Sequence, residues 1–329
     1  MTNRFNRRKF HGIAAAAMLA ACCAAPSWAQ TYPDKPIRII VGGPAGGGLD
    51  VNARVLADRL SPLLGQPVIV DNKPGAAGLI GLQELLKSPR DGYTVMVSLN
   101  GLVSEVPHFI KMPVDPIKVL QPLNEMARGG LVLVTNAQTG AQDLNSFIAY
   151  VKANKGKVSY ASYSPGTVSH TLGLEFNKLA GLDMQHVGYK GSPPALQDLI
   201  GGSVQAMFDV GGNVQAFAKA GRLKVLATTA PQRLSMFPDV PTFAELGYKD
   251  MTESISIVLY TTPDVPAPIQ AKLREAVAKA LQEPKVREAI AAFGMSPGSA
   301  ATSAEMLANM RAASDKQAAT LKTIGFKVE

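Results

Sequence analysis

Short apolar runs alternate along the chain with longer stretches in which apolar residues return every third or fourth place, a pattern of buried strands separated by amphipathic helices. "IRIIVG", from Ile37, predicts a strand. Val51, Val55, Leu56, Leu60 and Leu63 then recur at helical spacing, and "PVIVDN" is again a strand. "KPGAAG" turns into the helical "LIGLQELLK", and "YTVMVS" predicts a third strand ending at Asn100 and Gly101. A proline-rich stretch without clear period follows and reads as a crossover. "LVLVTN" (131–136) opens a second section in which "VSYAS", "MQHVGY", "VQAMFD" and "LKVLATT" are strands with helices between them. Ser192 ahead of Pro193 predicts a helix N-cap. "SISIVLYT" predicts a return strand, and two or three amphipathic helices finish the chain, one opening with a capping box of Thr302 and Glu305.

Strands alternating with helices predict an α/β fold built on mostly parallel sheet covered on both faces. A chain of 329 residues suits two domains. Their expected extents are 31–130 joined by 255–329, and 131–254, with the C-terminal helices given to the first.

"VGGPAGGGLD" (41–50) follows the first strand. It is not a Walker loop, because Gly48 is followed by Leu49 and Asp50 rather than by Lys and a hydroxyl residue, and its glycines lack the dinucleotide spacing. Unshielded amides at the positive end of a helix dipole suit a small anion such as a carboxylate, and a plain tight turn accounts for the same glycines. Asp50 is expected to cap that helix. "NKPGAAG", "SLNG", "ASYSPGTVSH" and "FDVGGN" also follow predicted strands, and parallel sheets bring such strand ends to one crevice.

The first residues form an export signal: Arg4, Arg7, Arg8 and Lys9, then thirteen mostly apolar residues from Ile13 to Ala25, then Ser27-Trp28-Ala29. Cleavage after Ala29, giving a leader of 1–29, is the favoured reading; twin-arginine export and a lipid anchor at Cys22 are the minor ones. Both cysteines, Cys22 and Cys23, leave with that leader, which excludes disulfide, catalytic thiol and zinc thiolate chemistry. Without the four leader charges the net charge falls from +8 to about +4, with no basic cluster resembling a nucleic-acid footprint. The expected place is the periplasm.

Candidates for catalysis are weak. Gly294-Met295-Ser296-Pro297-Gly298 matches a nucleophile-elbow pattern, but the helical "VREAIAAF" precedes it and no histidine follows His186. Gly294 reads better as a helix C-cap. His108, His170 and His186 have no metal-pair spacing. His170 either bonds a ligand or, the preferred reading, braces the helix start. Asp209 either accepts a ligand amine or holds the Gly211-Gly212 turn, with the turn slightly favoured. Lys190 reads as exposed and is left outside the site.

"YPDKPIRIIVGGPAGGGLDVNAR", "VIVDNKPGAAGLIG", "VSYASYSPGTVSH", "HVGYKGSPPALQDLIGGSVQAMFD" and "FPDVPTFAELGY" resemble, in order from Tyr32 onward, the solute receptors of tripartite tricarboxylate transporters, the Bug-type periplasmic receptors. The resemblance implies a two-domain periplasmic binding protein, type II-like, with mixed mostly parallel sheets flanked by helices and a ligand cleft between them. It implies a monomer that uses no cofactor or metal, takes a small organic carboxylate by hinge closure and delivers it to a membrane permease with large and small subunits. Carried over by position, contacts come from Ala45, Gly46, Gly47 and Gly48, from Ala76 and Ala77, and from Ser98 with Asn100. Ser162, Gly166, Thr167 and Asp209 answer from the second domain, with His170 beside them. The competing classes are a secreted hydrolase built on Ser296, an isomerase using His170 and Asp209, and a receptor signalling to a sensor kinase.

Overall fold

A computed structural model describes residues 32–323; the expected export signal, with Cys22, lies outside them. The first section runs β1 (Ile37–Val41), α1 (Gly48–Leu64), β2 (Val68–Asn72), α2 (Leu79–Lys87), β3 (Thr94–Leu99), the short α3 (Gly101–Ser104) and α4 (Pro116–Val119), then β4 (Gln121–Gly129). The second runs β5 (Leu131–Asn136), α5 (Leu144–Ala153), β6 (Ser159–Ser162), α6 (Val168–Ala180), β7 (Gln185–Gly188), α7 (Ser192–Gly201), β8 (Ala206–Val210), α8 (Gly211–Lys219) and β9 (Leu223–Thr228). β10 (Ile255–Thr261), α9 (Ala267–Gln282), α10 (Pro284–Ala292), β11 (Ser296–Pro297) and α11 (Ser303–Thr323) complete the chain.

These elements build two mixed sheets flanked by helices, a two-domain α/β architecture. The six-stranded sheet has the order β11-β4-β10-β3-β1-β2, the five-stranded one β7-β6-β8-β5-β9. β1 lies parallel to β2 and β3, and β6 parallel to β7 and β8. β10 runs antiparallel to β3 and β4, β11 to β4, and β5 to β8 and β9. Parallel pairing therefore does not predominate, because in each sheet a strand arriving from the other section enters against the grain. The central strands are buried throughout and mostly apolar, as two covered faces require: all six residues of β5 and all seven of β10 are buried, Thr135, Asn136, Ser256 and Thr261 among them.

The stretch read as a crossover contains a nine-residue strand, β4. Pro122, Asn124, Glu125 and Arg128 interrupt its apolar run, so neither period shows. Glu125 is nevertheless buried, and its carboxylate accepts from Ser256 Oγ at 2.5 Å, Ser299 N at 2.7 Å and Ser299 Oγ at 2.6 Å. Burial works to raise its pKa, but these bonds and Arg128 prevail and hold it below the ordinary glutamate value. α5, which had no expectation, opens with a capping box between Asp143 and Ser146.

The chain passes between the sheets at Gly129–Leu131 and again between β9 and β10, and the two crossings are bonded together. Leu131 N donates to Thr229 Oγ1 at 2.9 Å, and Thr229 N donates to Leu131 O at 2.8 Å. Gly130 lies so close to Ala230 that a Cβ would collide with its backbone.

Replacing Glu125 by Ala leaves the buried Ser256 hydroxyl without its acceptor and frees both donors of the exposed Ser299. The expected cost is roughly 1–3 kcal/mol of unfolding free energy, as for one unsatisfied buried group, measurable by urea denaturation.

Candidate ligand-binding cleft

A cavity of about 100 Å³ opens between the two sheets. About 10–15 Å³ of such space holds one water, so the cleft takes a small metabolite. Four helices begin at its wall. Gly47 and Gly48 line it at the start of α1, Thr167 and Val168 at α6, Gly191 and Ser192 at α7, and Val210 at α8. None of the four N-cap residues, Gly47, Thr167, Gly191 and Val210, accepts a side-chain cap bond. The positive ends of these helix dipoles are aimed at the wall without any arginine, although α7 opens Ser192-Pro193-Pro194 and so offers few amides, and Gly212 N of α8 donates to Phe293 O at 3.2 Å.

The loop after β2 adds a second kind of wall. Gly75, Ala76, Ala77 and Gly78 all have positive φ, at 119°, 46°, 53° and 95°. For two alanines this left-handed backbone costs about 1–2 kcal/mol each, and Gly75, Ala77 and Gly78 line the cavity.

Polar side chains are few. Asp209, at the end of β8, is fully buried, accepts from Val210 N at 2.7 Å and Asn213 Nδ2 at 3.0 Å, and is also bonded by Ser192 Oγ. Burial pushes its pKa up to about 6, against the pull of Ser192, Asn213 and the Val210 amide. Both its oxygens are engaged by its own lobe, the geometry of a residue that fixes Ser192 and the α8 turn. Asn100 Oδ1 accepts from Ser256 N at 2.9 Å, tying the third loop to β10. Leu49, Leu102, Ile257, Phe293 and Met295 make much of the remaining surface apolar. Lys190 is the only basic side chain among the described residues that line it.

Of the sequence candidates, Gly47, Gly48, Ala77, Ser98, Asn100, Thr167 and Asp209 line this cavity; Ala45, Gly46, Ala76, Ser162, Gly166 and His170 do not. The reasons are local. Gly46 N is turned onto Asp50 Oδ2 at 2.9 Å, Ser162 Oγ is bonded to His186 Nε2 at 2.7 Å, and Gly166 N donates to His170 Nδ1 at 3.1 Å. Asp50 is thus a first-turn residue paired with Arg54 at 3.0 Å rather than an N-cap. Ser192 begins α7 with Gly191 as the cap, and its hydroxyl faces Asp209. His170 and His186 stack with ring centres 3.7 Å apart, and Phe109 lies 5.1 Å from His170.

Lining residues without a sequence expectation include Glu105, Tyr163, Asn213, Phe293 and Met295. Ser192 carries a capping signal only, Lys190 reads from the sequence as exposed, and Phe293 and Met295 reach the cleft from the end of α10 with no local mark. Ser296 stands in the two-residue β11, paired with Arg128, and Gly294 at φ 71° ends α10. That is not the strand-turn-helix setting of a nucleophile elbow. Among the described residues no group of three or more His, Cys, Asp or Glu side chains is gathered as a metal site.

A profile of the family described as "tripartite tricarboxylate transporter family receptor" matches residues 52–326. The chain belongs to that family. It is a family of substrate-binding receptors rather than of enzymes. Protein BugT of Bordetella pertussis is 40% identical over 277 residues, 83% of this chain and 85% of that protein. A solved periplasmic transporter is 35% identical with a TM-score of 0.86, covering 91% of this chain and all of the other. Rpa4515 of R. palustris, solved with adipate, also superposes with a TM-score of 0.86 at 25% identity, over 91% of this chain and all of that one.

The histidine stack sets an acid limit. Burial and the facing ring hold His170 down to about 3, and burial holds His186 down to about 4, against an ordinary value of 6.5. The unfolded chain takes up protons below about pH 6.5 that the folded chain refuses, so this contribution is present above 6.5 and is lost as pH falls toward 4. His186→Gln is expected to flatten the pH dependence of stability between pH 4.5 and 6 by up to about 1.4 kcal/mol per pH unit for one proton, read by urea unfolding along a pH series.

Proposed function

We propose that this chain is an extracytoplasmic receptor that captures a small organic carboxylate between its lobes and hands it to a tripartite tricarboxylate-type permease of large and small subunits. The observation that carries the reading is the meeting at one small cavity of four helix N-termini from both lobes, none of whose N-cap residues supplies a side-chain cap bond. Charge-assisted hydrogen bonds from fixed amides favour a carboxylate there, and no counter-charge is needed when dipoles are already oriented. Membership of the receptor family and the adipate held by a related structure support the same chemistry. The contacts assigned to the ligand are Gly47, Gly48, Ala77, Ser98, Asn100 and Thr167, with Ser192 and Asn213 added and Asp209 positioning those two.

The lobes in this reading are 31–130 with 255–329, and 131–254, and they close about the bonded crossings at Leu131 and Thr229. The chain acts as a monomer in the periplasm. Among the described residues no helix is long and apolar enough to cross a membrane.

Closure brings the loop of α1 against the loop of α7. Gly191, at φ 117°, approaches Pro44 so closely that a Cβ would collide with the proline ring. A thermal-shift panel of mono-, di- and tricarboxylates, amino acids and nicotinate-like aromatics, followed by calorimetry, tests the function. At a hundredfold excess over Kd a ligand adds about 2.7 kcal/mol of stability. At least one carboxylate is expected to raise the melting temperature, and Gly191→Ala to weaken its binding by about tenfold, or about 1.4 kcal/mol. A panel in which no carboxylate shifts the melting point sinks the assignment.

A further inference from the structure

Glu105 is, with Asp209, one of two carboxyl groups that line the cavity. Glu105 follows α3 in the first lobe, and its carboxyl sits over Gly101, where a Cβ would come within 2.8 Å of Oε2. Oε2 is buried without a hydrogen-bond partner, as is the Tyr163 hydroxyl just beyond β6 in the second lobe, and both residues line the cavity. The amides of Val168 and Ser169, the first two residues of α6, act on these groups, Val168 on Glu105 and Ser169 on Tyr163. The chain's own acid and phenol thus stand where a second ligand carboxylate would take the α6 terminus.

We propose that Glu105, with Tyr163, determines specificity: this end of the cleft accepts an uncharged hydrogen-bonding group, such as a carboxamide, and rejects a second carboxylate. The inference rests on the carboxylate-receptor reading and narrows it to monoacids with a neutral polar end. Burial first, then the charge of Glu253, pushes the Glu105 pKa up to about 8, so at neutral pH the group is an acid that donates. The positive end of α6 disfavours an ammonium at the same place, and a second carboxylate could use that end only by displacing Glu105 and Tyr163 from the Val168 and Ser169 amides. The titratable groups facing Glu105 are Tyr163, Glu175 on α6 and Glu253 ahead of β10, which Lys316 of α11 pairs at 2.8 Å. Asp209 and Lys190 line the same cavity.

The test titrates acids of matched length into the full chain by calorimetry: succinate, succinamate and 4-aminobutyrate, with their five- and six-carbon counterparts. At one length or more the half-amide is expected to bind at least about tenfold more tightly than the diacid or the amino acid. Glu105→Ala, which frees the α6 amides, is expected to shrink that ratio by about tenfold. Between about pH 7 and pH 9 the half-amide affinity is expected to fall as Glu105 ionises and repels the bound carboxylate. In the near-isosteric Glu105→Gln variant it stays level. Diacid or amino acid binding as tight as the half-amide overturns the inference alone, as does an undiminished alkaline fall in Glu105→Gln. Failure of every acid to bind overturns the receptor reading, and this inference with it.

Discussion

Four helices begin without a bond from an N-cap side chain and aim the positive ends of their dipoles at one small volume, a field that a bound anion offsets. That arrangement organises the rest. The parallel strands deliver the helix starts to one edge of each sheet, and the two crossings hold those edges opposite one another. Glycine and small residues at the loops keep side chains out of the way of the amides.

The same constraint separates residues that face the cleft from residues that build it. Asp209, Asp50 and His170 each bond groups that build the loops around the cleft: Asp209 bonds Ser192, Asn213 and Val210, Asp50 bonds Gly46 and Arg54, and His170 bonds Gly166. Each shapes a loop whose neighbours line the cavity. A motif-based reading locates such loops well and assigns their inward-facing members poorly, because one strand register or one turn separates a lining amide from a supporting one.

Fold class was legible because the buried strands are short, apolar and punctuated by glycine. β4 was not, since a buried carboxylate satisfied by Ser256 and Ser299, residues distant in sequence, looks like a polar loop until its partners are known. The balance of antiparallel pairing was hidden for the same reason, because β10 enters its sheet after the whole second section has been completed. At the cleft, the loops holding Gly47, Gly48, Ala77 and Thr167 were legible because they follow strands, while the choice of those residues within the loops came from the family resemblance. Phe293 and Met295 come from an unrelated part of the chain, and Glu105 from a segment whose period is broken by short helices.

The titratable groups around the cleft oppose one another. The histidine stack weakens the fold as pH falls below 6.5, since its members are held down to about 3 and about 4. Glu105, Glu175 and Asp209 are held up to about 8, about 7 and about 6 and work in the other direction, because the unfolded chain releases protons above about 4.5 that the folded chain keeps. Their contribution is present below 4.5 and is lost as pH rises toward 8. The folded state is therefore limited from both sides by buried groups, of which Glu105 and Asp209 line the cleft. The cavity itself is an enclosure on which four helix dipoles turn their positive ends, and one bound anion offsets that field.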